Sequence, residues 1–298
     1  MQQQKISKDL LCRMAQAQLT RNEMNILMHI AQFQDSTGYV RGVYYRDVCN
    51  VLDISTQGFY DALKGLEKKE IIKCVKSNYY DIDIEIIGNS YAEDSGYKKG
   101  YVSLRTPFFR TTEFRSLKAG AQIMCMWLFM EWNISYMEQR KKASANPESY
   151  KILKITLLDK FQELLGVSKR MIRSYLGNLK PFLEVYLEKG RKYYLTFKKS
   201  VIRQSTSIQT EAEEYRRHAV DVGVRRNRVV VSAAERKELE RVLSCQRKKL
   251  DKNEKFDFSH VIARTIEVIN QNIKKKSKWQ RRLNMKLVTK ILAEEVTC

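Results

Sequence analysis

The stretch Leu164 to Lys180 constrains this chain more than any other. It reads Leu-Leu-Gly-Val-Ser-Lys-Arg-Met-Ile-Arg-Ser-Tyr-Leu-Gly-Asn-Leu-Lys. Gly166 can take the left-handed conformation that ends a helix. Ser168 is placed to cap the next one through its hydroxyl. Ile172, Leu176 and Leu179 recur at helical spacing on one face, with Tyr175 beside them. Lys169, Arg170 and Arg173 fall on the opposite face, near the N-terminal end. Pro181 stops the helix just after Lys180. A short helix, a tight turn and a second helix with a basic leading edge make the helix-turn-helix plan, which sets a recognition helix in the DNA major groove. The competing reading is a plain two-helix corner with a solvated basic face, and the flanking sequence favours the first.

Downstream, Leu183, Val185 and Leu187, then Tyr193, Leu195 and Phe197, alternate around Lys189-Gly190 as a β-hairpin does. Lys189, Arg191 and Lys192 form its tip. Upstream, a long helix over Leu117–Met137, a strand over Ile152–Ile155 and a helix over Thr156–Leu165 are expected. The same plan occurs earlier in the chain. Leu19 to Phe33 reads as an amphipathic helix, Asp35 to Gly42 as a turn region and Val43 to Leu52 as a second helix. Ser55 caps a third, whose core face is Phe59, Ala62, Leu63 and Leu66. A hairpin over Ile71–Val75 and Asp81–Ile87 follows. Three helices and a hairpin make a winged helix, so the chain is expected to carry two. The outward face of the earlier recognition helix offers Thr56, Gln57, Tyr60, Asp61 and Lys64. Its wing is expected to expose Asp81, Asp83 and Glu85, a poor match to a DNA backbone, which makes this domain a weak reader or a protein-contact module.

Charge follows the same division. The 298 residues carry 55 Lys+Arg against 34 Asp+Glu, a net +21. Residues 1–100 hold 13 basic and 13 acidic side chains, residues 101–200 hold 19 and 8, and residues 201–298 hold 23 and 13. The basic excess belongs to the last two thirds and suits a polyanion, with nucleic acid the first choice. Six cysteines lie scattered without a Cys-x-x-Cys pair, and there are three histidines, so no zinc pattern emerges and no cofactor is expected. Neither a P-loop, a Gly-x-Gly-x-x-Gly nor a Gly-x-Ser-x-Gly occurs, so enzyme readings find no motif. Unpaired cysteines, with no signal peptide read at the start, point to the cytoplasm. The most apolar run, Ile123 to Met130, is too short to span a bilayer.

Residues 201–298 read as helical. Ser232-Ala-Ala-Glu235 matches a capping box, and Phe258–Ile273 and Trp279–Val296 look like amphipathic helices. Ile262, Ile266, Ile269 and Ile273 stripe one of them; Leu283, Leu287 and Ile291 stripe the next. Such stripes pack on each other within one chain or join a second copy or a partner protein.

Val48 to Ile72 resembles the helix-turn-helix and wing of bacterial winged-helix regulators. Tyr101-Val-Ser-Leu-Arg-Thr-Pro-Phe-Phe-Arg110, the helix after it and Leu164 to Lys180 together resemble the winged-helix domain of Gram-positive plasmid replication initiators and their primosomal relatives. The resemblance covers roughly residues 20–200 and implies DNA binding. The expected architecture is mainly α with small β-hairpins (α+β): a first winged helix over 1–88, a linker over 89–100, a second, basic winged helix over 101–200 and a basic helical domain over 201–298. The expected function is sequence-specific binding of double-stranded DNA, in transcription regulation or plasmid-type replication initiation. Lys169, Arg170, Arg173, Lys180, Lys189, Arg191 and Lys192 are its main contacts, with Thr56, Gln57, Tyr60 and Lys64 as a second set. The alternative is an assembly protein that holds nucleic acid non-specifically while its acidic first domain and helical tail contact proteins.

Overall fold

A computed structural model describes residues 4–77, 81–90, 100–104, 106–142, 153–188, 192–198, 201, 208–245, 257–274 and 283–297. The chain is mainly helical, with three small antiparallel sheets among these residues. It opens with β1 (Lys5–Ser7) and α1 (Lys8–Gln16), whose N-terminus is capped by Ser7 accepting from the Leu10 amide. A first set of elements follows: α2 (Arg21–Ile30), β2 (Tyr39–Val43), α3 (Tyr45–Leu52), α4 (Thr56–Lys68), β3 (Ile72–Ser77) and β4 (Ile82–Ile86). After β5 (Tyr101–Ser103) and the short α5 (Thr112–Ser116) comes a second set in the same order. It consists of α6 (Ala119–Lys142), β6 (Leu153–Ile155), α7 (Leu157–Leu165), α8 (Lys169–Leu179), β7 (Leu183–Glu188) and β8 (Lys192–Phe197). The two three-stranded sheets repeat as well, with strand orders β2-β4-β3 and β6-β8-β7.

Local chemistry explains the boundaries. Thr20 and Glu23 form a reciprocal capping box that opens α2. Gly166 closes α7 at φ 61°, and Ser168 caps α8 by accepting from the Met171 amide. One expectation fails here. The stretch Asp35 to Gly42 is not wholly a turn. Asp35 Oδ1 does hold a turn by accepting from the Thr37 and Tyr39 amides, but Tyr39 onward is the strand β2. It exists because β4, some forty residues later, supplies its hydrogen-bond partners, with Tyr39 opposite Glu85 and Val43 opposite Ile82. No local pattern records that pairing.

The repeats share one apolar core that runs from Ile6 to Val201. The leading residues join them: β1 pairs antiparallel with β5, and α1 packs on both α6 and α7. A buried polar bridge adds to this, with Gln122 Nε2 donating to Asn25 Oδ1 (2.9 Å) and to the Phe114 carbonyl (2.9 Å), and Asn25 Nδ2 donating to the Arg115 carbonyl (3.1 Å). Asn89, at the start of the expected linker, is buried; its side chain accepts from the Ser7 amide and donates to the Lys5 carbonyl and Gln34 Oε1.

Four helices complete the chain: α9 (Ile208–Arg226), α10 (Ala233–Cys245), α11 (Phe258–Lys274) and α12 (Met285–Thr297). Ser232 and Glu235 form the expected capping box before α10. A second core gathers Val220, Leu239, Leu243, Phe258, Ile262, Val288, Ile291 and Leu292, with Ile266, Leu283 and Leu287 against it. Ile262 and Ile266 of one stripe and Leu283, Leu287 and Ile291 of the other therefore meet in this core within one chain. No helix among the described residues is long and apolar enough to cross a membrane.

Candidate nucleic-acid interface

The α7–α8 corner is built from its turn outward. Only a residue that tolerates positive φ can stand at 166, and glycine does so without a steric penalty. The chain then re-enters a helix at Ser168. From there Ile172 and Leu179 are fully buried, and Tyr175 and Leu176 nearly so. That leaves the other face to Arg170, Arg173 and Lys180, all exposed, and to half-buried Lys169, whose ammonium lies 2.6 Å from Asp159 Oδ1. The predicted basic edge of this helix thus meets solvent as a group. Lys189 and Arg191 lie outside the described residues, and of Lys192 only the backbone is described, as the first residue of β8.

The α3–α4 corner repeats this geometry 113 positions earlier, with Asp53 matching Gly166 and Ser55 matching Ser168. Asp53 adopts the left-handed conformation at φ 52°, and Ser55 accepts from the Gly58 amide at 3.0 Å. Phe59, Ala62, Leu63 and Leu66 are buried. Thr56, Gln57, Tyr60, Asp61 and Lys64 are exposed, so this predicted set also comes together on one face. Thr56, Gln57 and Tyr60 occupy the places of Lys169, Arg170 and Arg173. Gln57 Nε2 donates to Asp61 Oδ1 at 2.7 Å.

The acidic wing is not what the sequence suggested. Asp81 and Asp83 are buried, at 2% and 4% exposure, and Glu85 is half-buried. Their partners come from the end of α9. Arg226 donates to both Asp81 oxygens (2.9–3.2 Å) and to Asp83, and lies 3.5 Å from Asp257 Oδ2. Arg225 reaches Asp47 Oδ2 (3.2 Å) and the Gly42 carbonyl (2.8 Å), and its guanidinium covers the Tyr44 ring. Asp83 also accepts from the Gly42 amide at 2.7 Å. Burial alone would lower the Arg226 pKa, yet Asp81 and Asp83 hold it above its usual value. Gly42 sits at φ +67° directly under Val222, where a β-carbon would collide with the valine side chain.

Further along α9, His218 is stacked on Phe33 (4.5 Å between rings), and its Nε2–H donates to the Arg41 carbonyl at 2.7 Å. Burial lowers its pKa, with Arg225 adding to the effect, so the ring is held neutral. Glu214 accepts both its contacts from Arg110 Nη1, at 2.9 and 3.0 Å. Sequence reasoning missed Arg225 and Arg226 altogether. The only signal was the i, i+2 spacing of Asp81 and Asp83 on a strand, which sets both carboxylates on one face.

Burial pushes the thiols of Cys125, Cys74 and Cys49 upward, Cys74 to about 11 with Glu67 adding to it; a nucleophilic thiol shifts the other way. Among the described residues no cluster of His, Cys, Asp and Glu could hold a metal ion. No family model, curated protein or solved structure matches this chain.

Proposed function

We propose that this protein binds double-stranded DNA at specific sequences through two winged helices in tandem, and acts by occupying its site. The repeated order of helix, strand, two helices and hairpin supports the winged-helix reading, as does the shared strand order of the two sheets. The observation that carries the functional reading is the face of α8. Arg170 and Arg173 stand exposed in its first two turns, with the apolar face wholly committed to the core. In a helix-turn-helix protein those positions face base edges, and arginine is the usual partner of guanine O6 and N7. The excess of basic residues in 101–298 supplies the sequence-independent attraction to phosphate. The chain acts as a transcription regulator or a plasmid-type replication initiator, as its resemblance implies. Five free cysteines among the described residues fit a reducing compartment such as the cytoplasm.

The assembly-protein alternative rests on an acidic first domain and a helical tail that contact proteins. Burial of Asp81 and Asp83 under Arg225 and Arg226 withdraws two of that domain's carboxylates from the surface and so favours the DNA-binding reading. Selection of bound sequences from random duplexes tests the proposal. A consensus is expected; uniform enrichment of all duplexes would overturn site-specific reading.

A further inference from the structure

Resting on that reading, we infer that the two recognition helices read opposite base chemistry, with α4 set for an A·T element and α8 for a guanine-bearing one. The Gln57 amide owns two N–H donors and one carbonyl acceptor. One N–H is taken by Asp61, one helical turn on and on the same face. A second N–H and Oε1 are left on the same amide, and such a donor–acceptor pair matches adenine N7 and the adenine N6 amino group in the major groove. Asp61 thereby fixes which way the amide points. It is a positioning residue, and its charge is engaged by Gln57 rather than aimed at phosphate.

Two neighbours agree with adenine–thymine. Tyr60, 39% exposed, and Thr56 present an aromatic edge and a methyl group, the kind of apolar surface that meets a thymine methyl. In α8 the matching positions hold Lys169, Arg170 and Arg173, which can only donate. Acceptor-bearing and donor-only helices on one chain call for a target without two-fold symmetry. A solvated Gln57–Asp61 pair with no role in reading is the competing account, and it predicts no change in base preference when either residue is replaced.

The test is sequence selection with the full chain and four variants: Gln57→Ala, Asp61→Ala, Asp61→Asn and Arg173→Ala. All four alter exposed side chains, so folding is preserved, and melting curves check it. Gln57→Ala and Asp61→Ala are expected to lower the preference for adenine at one and the same base pair by about tenfold, leaving guanine positions alone. Asp61→Asn keeps an acceptor for Gln57 and is expected to restore most of that preference. Arg173→Ala is expected to relax a guanine position only. A wild-type consensus that Gln57→Ala leaves unchanged at every position overturns this inference and leaves DNA reading standing. A wild-type chain that yields no consensus overturns both.

Discussion

Beside α8 the nearest acidic partner, Asp159, stands half in water opposite Lys169, and the exposed arginines keep their charge for whatever approaches. Beside α4 the acids are far more numerous, yet Asp81 and Asp83 are sealed beneath a helix that begins more than a hundred residues later. The two repeats therefore put carboxylates to different ends on one backbone plan. In the second they trim a basic surface. In the first they form a socket that seats α9 and ties the C-terminal helices to the sheet. Residues 1–100 balance at 13 basic and 13 acidic side chains, but the charge they present is set by Arg225 and Arg226 from outside that range.

The largest expected effect breaks the socket. Arg226→Met leaves Asp81 and Asp83 buried without their main partner, and should cost about 3–5 kcal/mol in urea unfolding. Lys169→Met, which removes only the half-solvated pair with Asp159, should stay within about 1 kcal/mol. Equal losses would mean that the two repeats hold their acids alike.

Acid should act through the first repeat as well, because His29 and His218 lie there or against it and the second repeat has no histidine. Burial, with Arg115, His218 and Arg110 nearby, pushes His29 down to about 4, and burial lowers His218 too. Facing His218, Arg225 works in the same direction, whereas its bond to the Arg41 carbonyl and the charges of Asp47 and Asp81 work against it. An unfolded histidine titrates near 6.5, so between that value and about 4 the unfolded chain binds protons the folded chain refuses. Stability is then full above about pH 6.5 and falls as the pH drops toward 4, by up to about 3 kcal/mol for His29. Denaturation series at several pH values measure the slope, and His29→Gln should flatten it.

DNA affinity should divide the other way. Arg170→Ala with Arg173→Ala is expected to weaken binding to the selected duplex by about 1–3 kcal/mol per lost base contact, more than Gln57→Ala with Lys64→Ala. A mobility-shift titration in which the first-repeat pair does the greater damage would reverse the ranking.

The smallest effect separates the two turns. Gly166→Ala puts a β-carbon at φ 61° and should lower stability by about 1–2 kcal/mol. Asp53→Gly at the matching turn relieves a left-handed aspartate, so its melting temperature should not fall.

Both corners were legible because every signal in them is local. Gly166, Ser168 and Pro181 bound α8, and Ser55 opens α4, through contacts spanning four residues or fewer. The apolar spacing of Ile172, Leu176 and Leu179 then decides which face is left for Arg170 and Arg173, so the exposed sets of both helices follow from periodicity alone. The alternation of β7 with β8 and the capping box at Ser232 belong to the same class. Tertiary structure decided the rest. The strand β2 needs β4, and β1 needs β5 nearly a hundred residues away. The apolar stripes of α11 and α12 were visible, but whether they met each other or another chain depended on the path between them. Asp81 and Asp83 read as exposed wing charges because a strand alone cannot tell whether a guanidinium will cover its face. Arg226, 145 residues beyond Asp81, supplies that cover, and a carboxylate can be buried only where such a partner arrives.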